Sequence, residues 1–237
     1  MSEDAATLDV AGNVARVEER IARAAERAGR RPEEIRLVAV SKGVEPSRVI
    51  AAIIAGVTDV GENYVQEAAT KKPQVAAPVR WHFVGHLQRN KAGQAVALFD
   101  MIQTVDSLAL AQALGRRAQA SGRTLEVLVQ VNTSGEGAKS GVRPDQAERL
   151  VEEAAQVDGV LVRGLMTIGR WSPDREAARP EFRALAALAR QVECNTGVAM
   201  EWLSMGMTHD FEVAIEEGAN LVRIGTGVFG PRRGEPT

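Results

Sequence analysis

Along the chain, short β-branched apolar runs alternate with longer segments in which apolar residues recur at spacings of three and four. The runs are Arg36 to Ser41, Asp59 to Glu62, Arg80 to Gly85, Met101 to Val105, Leu125 to Asn132, Leu161 to Ile168, Met200 to Met205 and Leu221 to Gly225. Between them, Pro46 to Ala55, Leu108 to Ala120, Pro144 to Val157 and Arg175 to Val192 carry the helical period. Strands alternating with helices of this length predict βαβ units and a parallel sheet. Eight such units within 237 residues predict an α/β fold: a single (β/α)8 TIM barrel spanning residues 1–237 as one domain. An open doubly wound sheet more often has fewer strands and a glycine-rich first turn. An additional N-terminal helix is predicted over Val14 to Ala28, stopped by Gly29. The most loop-like stretch is Gly169 to Pro180.

Composition narrows the function classes. With 29 Lys+Arg against 31 Asp+Glu, the net charge is -2, and no basic block offers the surplus that phosphate-backbone binding needs. The pair Arg232 and Arg233 is too short to change that, so nucleic acid is not expected as a partner. No stretch approaches the ~20 apolar residues of a membrane span, and the acidic, polar start lacks the pattern of a signal peptide. The expected compartment is the cytoplasm. Cys194 is the sole cysteine and has no partner for an intramolecular disulfide; no Cys/His spacing suggests a metal site. It reads as a bland, buried or half-buried residue.

In a barrel of this kind the chemistry collects where strands end. Lys42 closes the first strand in a chain with five lysines against 24 arginines. Lys71, Lys72 and Lys91 fall in polar helical stretches and Lys139 in a loop. An amine at a buried strand end is partly desolvated, which lowers its pKa and makes it a usable nucleophile toward an aldehyde; Arg stays protonated and cannot do this. Pairing of Lys42 with a carboxylate such as Glu62 is the structural alternative. A second signal lies after the seventh and eighth strands, in Ser204-Met205-Gly206-Met207-Thr208-His209-Asp210 and Arg223-Ile224-Gly225-Thr226-Gly227. Glycines and hydroxyls there offer backbone N–H groups to a phosphate at the place where barrels most often bind one; simple turn glycines are the alternative. An amine and a phosphate cradle on one mouth describe a phosphorylated aldehyde, and pyridoxal 5′-phosphate is the common cofactor of that shape.

Several blocks then add a resemblance. Val40-Ser41-Lys42, Gly61 to Glu67 (GENYVQE), Trp81 to Lys91 (WHFVGHLQRNK), Ser204 to Met207 and Arg223 to Gly230 resemble, in order over nearly the whole chain, those of the pyridoxal phosphate homeostasis protein family. The family also carries the label YggS/PROSC and is similar in fold to the N-terminal barrel of alanine racemase. Asn132 to Gly141 resembles the family's block after the fifth strand. The resemblance implies that Lys42 holds the cofactor as a Schiff base. It implies that Ser204, Gly206, Gly225 and Thr226 cradle its phosphate, with Met205 in the same turn, that Arg223 faces the pyridine nitrogen, and that Asn63 and Met166 line the ring. His82 and Lys139 point to the same mouth on this reading, a structural role being the alternative for each.

A cation at the ring nitrogen keeps it unprotonated and makes the cofactor a poorer electron sink than an Asp partner would. Racemisation needs two bases on opposite faces of the substrate Cα; in alanine racemases one is a tyrosine from a further domain, for which a chain ending at Thr237 leaves no room. The one tyrosine, Tyr64, reads as packing or cofactor lining. The expected function is therefore binding: a pyridoxal phosphate holder in vitamin B6 homeostasis, with no catalytic residues of its own. Apo enzymes are its possible recipients and a monomer its expected state. The alternative is a pyridoxal-phosphate-dependent amino acid racemase without the C-terminal domain. Trp81, Phe83, Trp202 and Phe229 are expected to fill the barrel, and Glu62 and Glu67 to serve in ion pairs or hydrogen bonds. His209 either adds charge to the phosphate site or sits in solvent. The bias to Arg and Ala suggests a GC-rich bacterial genome.

Overall fold

The computed structural model describes residues 9–137 and 140–231. Eight strands close into a barrel in chain order: β1 (Arg36–Val40), β2 (Asp59–Glu62), β3 (Arg80–Phe83), β4 (Met101–Val105), β5 (Leu125–Gln130), β6 (Val160–Met166), β7 (Trp202–Ser204) and β8 (Leu221–Ile224). Each lies within one predicted run except β6, which begins one residue earlier. All neighbouring pairs are parallel, and β8 returns to β1 through Val38↔Arg223. The helices on the outside are α1 (Val10–Arg27), α2 (Pro46–Ile54), α3 (Val65–Lys71), α4 (Ala92–Leu98), α5 (Leu108–Ala120), α6 (Pro144–Ala155), α7 (Arg179–Thr196), α8 (Phe211–Glu216) and α9 (Thr226–Phe229).

The N-terminal helix starts earlier than the apolar spacing indicates because Asp9 caps it, accepting from the Gly12 amide at 2.8 Å. Its buried stripe of Val10, Val14, Val17, Ile21, Ala24 and Ala25 packs on α8 and α9. Arg20 pairs with Glu212 at 2.8 Å, and Asn13 donates to the Val228 carbonyl at 3.0 Å. The added helix thus braces the two short helices that follow β7 and β8. The loop before α7 is shorter than predicted: Arg175–Ala178 is a 3-10 turn and Pro180 stands in the first turn of α7, where its missing N–H costs nothing.

The apolar core has two layers. The larger lies between strands and helices and holds Trp81, Phe83 and Phe229, with Phe83 edge-on to Phe99 at 5.2 Å. These aromatics therefore do not fill the barrel as expected: Trp81 and Phe83 occupy outward-facing strand positions, and Phe229 lies in α9. The barrel interior holds a smaller cluster of Val38, Met101, Leu128, Met166 and Leu221, with Ile168 and the half-buried Trp202 against it. Below this cluster, the N-terminal ends of the strands carry paired charges: Arg80 and Arg163 on Glu126, Arg163 on Glu201, and Arg36 near Asp59 at 3.7 Å. Arg36 also lies over the Trp202 ring, 5.0 Å from its centroid. That end is closed by ion pairs, which leaves the C-terminal mouth for ligands.

Candidate cofactor site

Lys42 stands two residues beyond β1 at the C-terminal mouth, half-buried, and both peptide groups beside it are clamped. Lys71 donates to the Ser41 carbonyl at 2.6 Å, Ser41 donates its hydroxyl to Glu62 at 2.6 Å, and Glu67 accepts from the Gly43 amide at 2.6 Å. The same Lys71 ammonium bonds Glu62 and lies 2.9 Å from Glu67. Glu62 and Glu67 are thus ion-pair and hydrogen-bond partners, as their residue type and place suggested. Lys71 is not the surface lysine that its polar helical stretch implied: it is buried at the end of α3 with its charge spent on two carboxylates. Burial raises the Glu62 pKa, against the opposing pull of Lys71 and Ser41.

The turn after β7 is built around Gly206, whose φ is +90°. A Cβ there would lie 2.6 Å from the Ala214 Cβ and 2.8 Å from the Phe211 Cα, so glycine alone fits. Across from it, a Cβ on Gly227 would come within 2.8 Å of Ile224. The Thr208 hydroxyl joins the two turns, accepting from the Gly227 amide and from the Thr226 hydroxyl, both at 3.2 Å. Thr208, part of the segment after the seventh strand read for its glycines and hydroxyls, is the residue that ties it to the turn after β8. Asp210 accepts from the Met207 amide at 2.6 Å; burial raises its pKa, partly offset by that bond and by the Arg223 charge.

Ser204 has a different place from the one expected. Its hydroxyl lies inside the barrel, accepting from Arg223 at 2.6 Å and donating to Gln103 at 2.7 Å, so it serves Arg223 instead of reaching the glycine turns. The Met205 side chain turns outward into the layer between strands and helices and leaves only its backbone near the mouth. Met166, fully buried, belongs to the barrel-interior cluster directly under the mouth. Arg223 is buried, with its second arm donating to the Thr167 carbonyl at 2.8 Å. Burial pushes its pKa down to about 10, with Asp210 opposing, and the guanidinium stays charged at neutral pH.

Asn63 lines a mouth cleft of about 180 Å³ together with Gly85, Thr104, Gln130 and Ile168. Thr104 brings a side-chain polar atom to this cleft that is buried without a hydrogen-bond partner, its Oγ1. Its position depends on an irregularity: Ile102↔Val127 is followed by Val105↔Val129, so β4 has one residue more than β5 between them. Such a bulge lets Gln103 turn into the barrel while Thr104 meets the cleft, an exception to strand alternation that no sequence pattern marks. His82 is buried between Asp59 and Gln103 and does not open onto the mouth. His209 is exposed and bonds the Pro173 carbonyl at 3.0 Å. Tyr64 is 62% exposed and not packed in the core, and Cys194 is exposed, not buried. Lys139, Arg232 and Arg233 lie outside the described residues.

These groups fit a phosphorylated aldehyde. A half-buried amine, two glycine turns that a Cβ would fill, a buried guanidinium and an orphaned hydroxyl meet at one mouth. Among the described residues, no group of three or more His, Cys, Asp or Glu is placed to hold a metal ion, and no helix is long and apolar enough to cross a membrane.

Comparison with known proteins agrees with this geometry. Residues 13–233 match the family described as alanine racemase, N-terminal domain. The chain is 42% identical over 94% of its length to a pyridoxal phosphate homeostasis protein of Pseudomonas aeruginosa, covering 96% of it. It is 41% identical to one of Aquifex aeolicus, with coverage of 93% and 97%. Among solved structures it is similar to PipY of Synechococcus elongatus with pyridoxal phosphate bound, at 32% identity and a TM-score of 0.83, covering 94% of this chain and all of that one.

Proposed function

The chain belongs to the pyridoxal phosphate homeostasis protein family, and from that premise we propose that it binds pyridoxal 5′-phosphate as a Schiff base on Lys42, without robust catalysis, in intracellular vitamin B6 homeostasis. One observation carries the reading: Lys42 is held at the same mouth as the Gly206 and Gly225–Gly227 turns, with the peptide groups on either side of it fixed by Lys71 and Glu67. When bound, the cofactor supplies an aldehyde that condenses with an amine, losing water, and a ring that accepts electron density.

The chain's own residues divide the binding. Lys42 takes the aldehyde carbon. The backbone of the Gly206 and Gly225 turns and the Thr226 hydroxyl take the phosphate, and Asn63 and Met166 flank the ring. Arg223 confronts the ring nitrogen and, carrying its own positive charge, keeps that nitrogen unprotonated. This weakens the ring as an electron sink, and the one tyrosine, Tyr64, is largely exposed and not held in the buried site as a second base. Both features favour holding the cofactor over turning it over. We place the protein in the cytoplasm, where an exposed thiol such as Cys194 stays reduced, as a one-domain monomer that passes its load to apo enzymes.

Borohydride reduction followed by peptide mass analysis tests the reading. The expected adduct is on Lys42 and disappears in Lys42→Ala. A protein without a reducible adduct, or an adduct that persists in Lys42→Ala, refutes it. Exchange of substrate Cα hydrogen with deuterated solvent well above free cofactor would make the protein a racemase instead. Activation of an apo enzyme in the presence of a trap for free cofactor is the expected sign of direct transfer.

A further inference from the structure

Five side chains from five strands form one hydrogen-bonded file across the barrel. Arg223 donates to the Ser204 hydroxyl at 2.6 Å, and Ser204 donates to the Gln103 carbonyl oxygen at 2.7 Å. The Gln103 amide nitrogen meets Nδ1 of His82 at 2.9 Å, and Nε2 of His82 meets Asp59 at 2.8 Å. None of the five is more than 4% exposed. The far end is anchored in turn, since Thr58 donates to the second Asp59 oxygen at 2.7 Å and Arg36 stands 3.7 Å away.

The direction of the file is fixed from both ends. A guanidinium only donates and an ionised carboxylate only accepts. Ser204 must therefore accept from Arg223 and donate to Gln103, whose amide then donates to Nδ1, which places the His82 proton on Nε2, facing Asp59. Flipping the Gln103 amide leaves the Ser204 proton without an acceptor, and the other His82 tautomer sets two donors against each other at Nδ1 and leaves Asp59 without its donor.

Stability alone gives no reason for this arrangement. Barrel interiors are ordinarily filled by apolar side chains, and this barrel does so in the adjoining layer of Val38, Met101, Leu128, Met166 and Leu221. Replacing a buried polar network by apolar groups of the same shape is often neutral or stabilising. What the file supplies is a fixed acceptor on one side of the Arg223 guanidinium, opposite the Thr167 carbonyl on the other.

We propose that Gln103, His82 and Asp59 are positioning residues for the cofactor: acting through Ser204, they lock the plane and place of the guanidinium that faces the ring nitrogen. This rests on the pyridoxal phosphate reading, in which Arg223 confronts that nitrogen. The residues nearest the ring then depend on an anchor at the closed, opposite end of the barrel. The two turns that hold the phosphate are outside the file, so disturbing it should act on ring electronics and release, leaving phosphate capture intact.

The test has two arms. In the cofactor-free protein, 15N NMR of the His82 imidazole is expected to show protonated Nε2 and unprotonated Nδ1; the opposite tautomer or a doubly protonated ring overturns the file. In the loaded protein, Gln103→Leu is expected to shift the cofactor absorption band or its pH titration and to speed release into a trap by about threefold or more. Gln103→Glu, which keeps an acceptor for Ser204 and, as the neutral acid, a donor to Nδ1, is expected to return release to within about twofold of the parent. If Gln103→Leu unfolds at the parental temperature and yet keeps the parental band and release rate, the positioning role is wrong. A parent protein with no Lys42-dependent band would instead refute the pyridoxal phosphate reading, while the tautomer measurement would still decide the file.

Discussion

Lys71 donates its ammonium to the carbonyl oxygen of Ser41 at 2.6 Å, one residue before Lys42. A helix one unit further along the barrel thereby fixes the backbone from which the proposed nucleophile projects. The energetic weight of this contact comes from Glu62, which is fully buried and shares the same ammonium. Removing one partner of a buried pair leaves the other charge stranded, at a cost of about 3–5 kcal/mol. Lys71→Met is expected to lower stability by that order in urea unfolding. Adding Glu62→Gln to it should recover most of the loss, because no buried charge is then stranded. Lys71→Met protein that still folds should incorporate less cofactor, since the strand end is no longer held.

Gly206 gives a second outcome. Its φ of +90° and the approach of Ala214 and Phe211 within 3 Å of any Cβ both count against a side chain. Gly206→Ala is expected to destabilise by about 2 kcal/mol or more and to weaken phosphate capture. Gly29→Ala, with positive φ of +66° but nothing within 4 Å, incurs the backbone strain alone. The difference between the two in thermal unfolding measures the steric part.

Asp59 sets an acid limit on stability. Burial alone would raise its pKa, but the hydrogen bond from His82, the Thr58 hydroxyl and the Arg36 charge together hold it below the ordinary 3.8. A carboxylate with a lowered folded-state pKa contributes stability that is present above the unfolded value and lost as pH falls through the folded one. Asp59→Asn is therefore expected to be less stable than the parent at neutral pH. The difference should hold down to about pH 4 and shrink below it. A difference that is unchanged at pH 3 would mean that the carboxylate charge is not what stabilises.

Much of this could be read from the sequence, and the limits have physical causes. The eight strands declared themselves because each is a short run between breaks, and the glycine turns after β7 and β8 because positive φ at Gly206 and close approach at Gly206 and Gly227 demand glycine. Lys42 stood out by its rarity and its place at a strand end. What could not be read was direction. Ser204 ends the right strand, but only strand register shows that its hydroxyl faces Arg223. Gln103 and Thr104 both serve the interior because of a bulge that leaves no mark in composition. Lys71 reads as polar surface because burial of its ammonium depends on Glu62 and Glu67 arriving from β2 and α3. Trp81 and Phe83 looked like barrel filling because alternation alone does not say which face is inside.

Thr104 separates binding from folding by the sign of its effect. Its hydroxyl is buried in the wall of the mouth cleft with no hydrogen-bond partner, and such a group costs about 1–3 kcal/mol of desolvation that nothing offsets. Thr104→Val has nearly the same shape and removes the hydroxyl. In the cofactor-free protein it is expected to be neutral or to raise stability by about 1 kcal/mol. If the hydroxyl is there to meet a polar atom of the ligand, the same substitution should weaken cofactor binding by about three- to tenfold. Melting temperatures without cofactor, set beside a cofactor titration, give both numbers from one pair of proteins. A gain in stability with unchanged affinity would leave the hydroxyl as a local defect of the barrel mouth, while a gain in one with a loss in the other assigns it to the ligand.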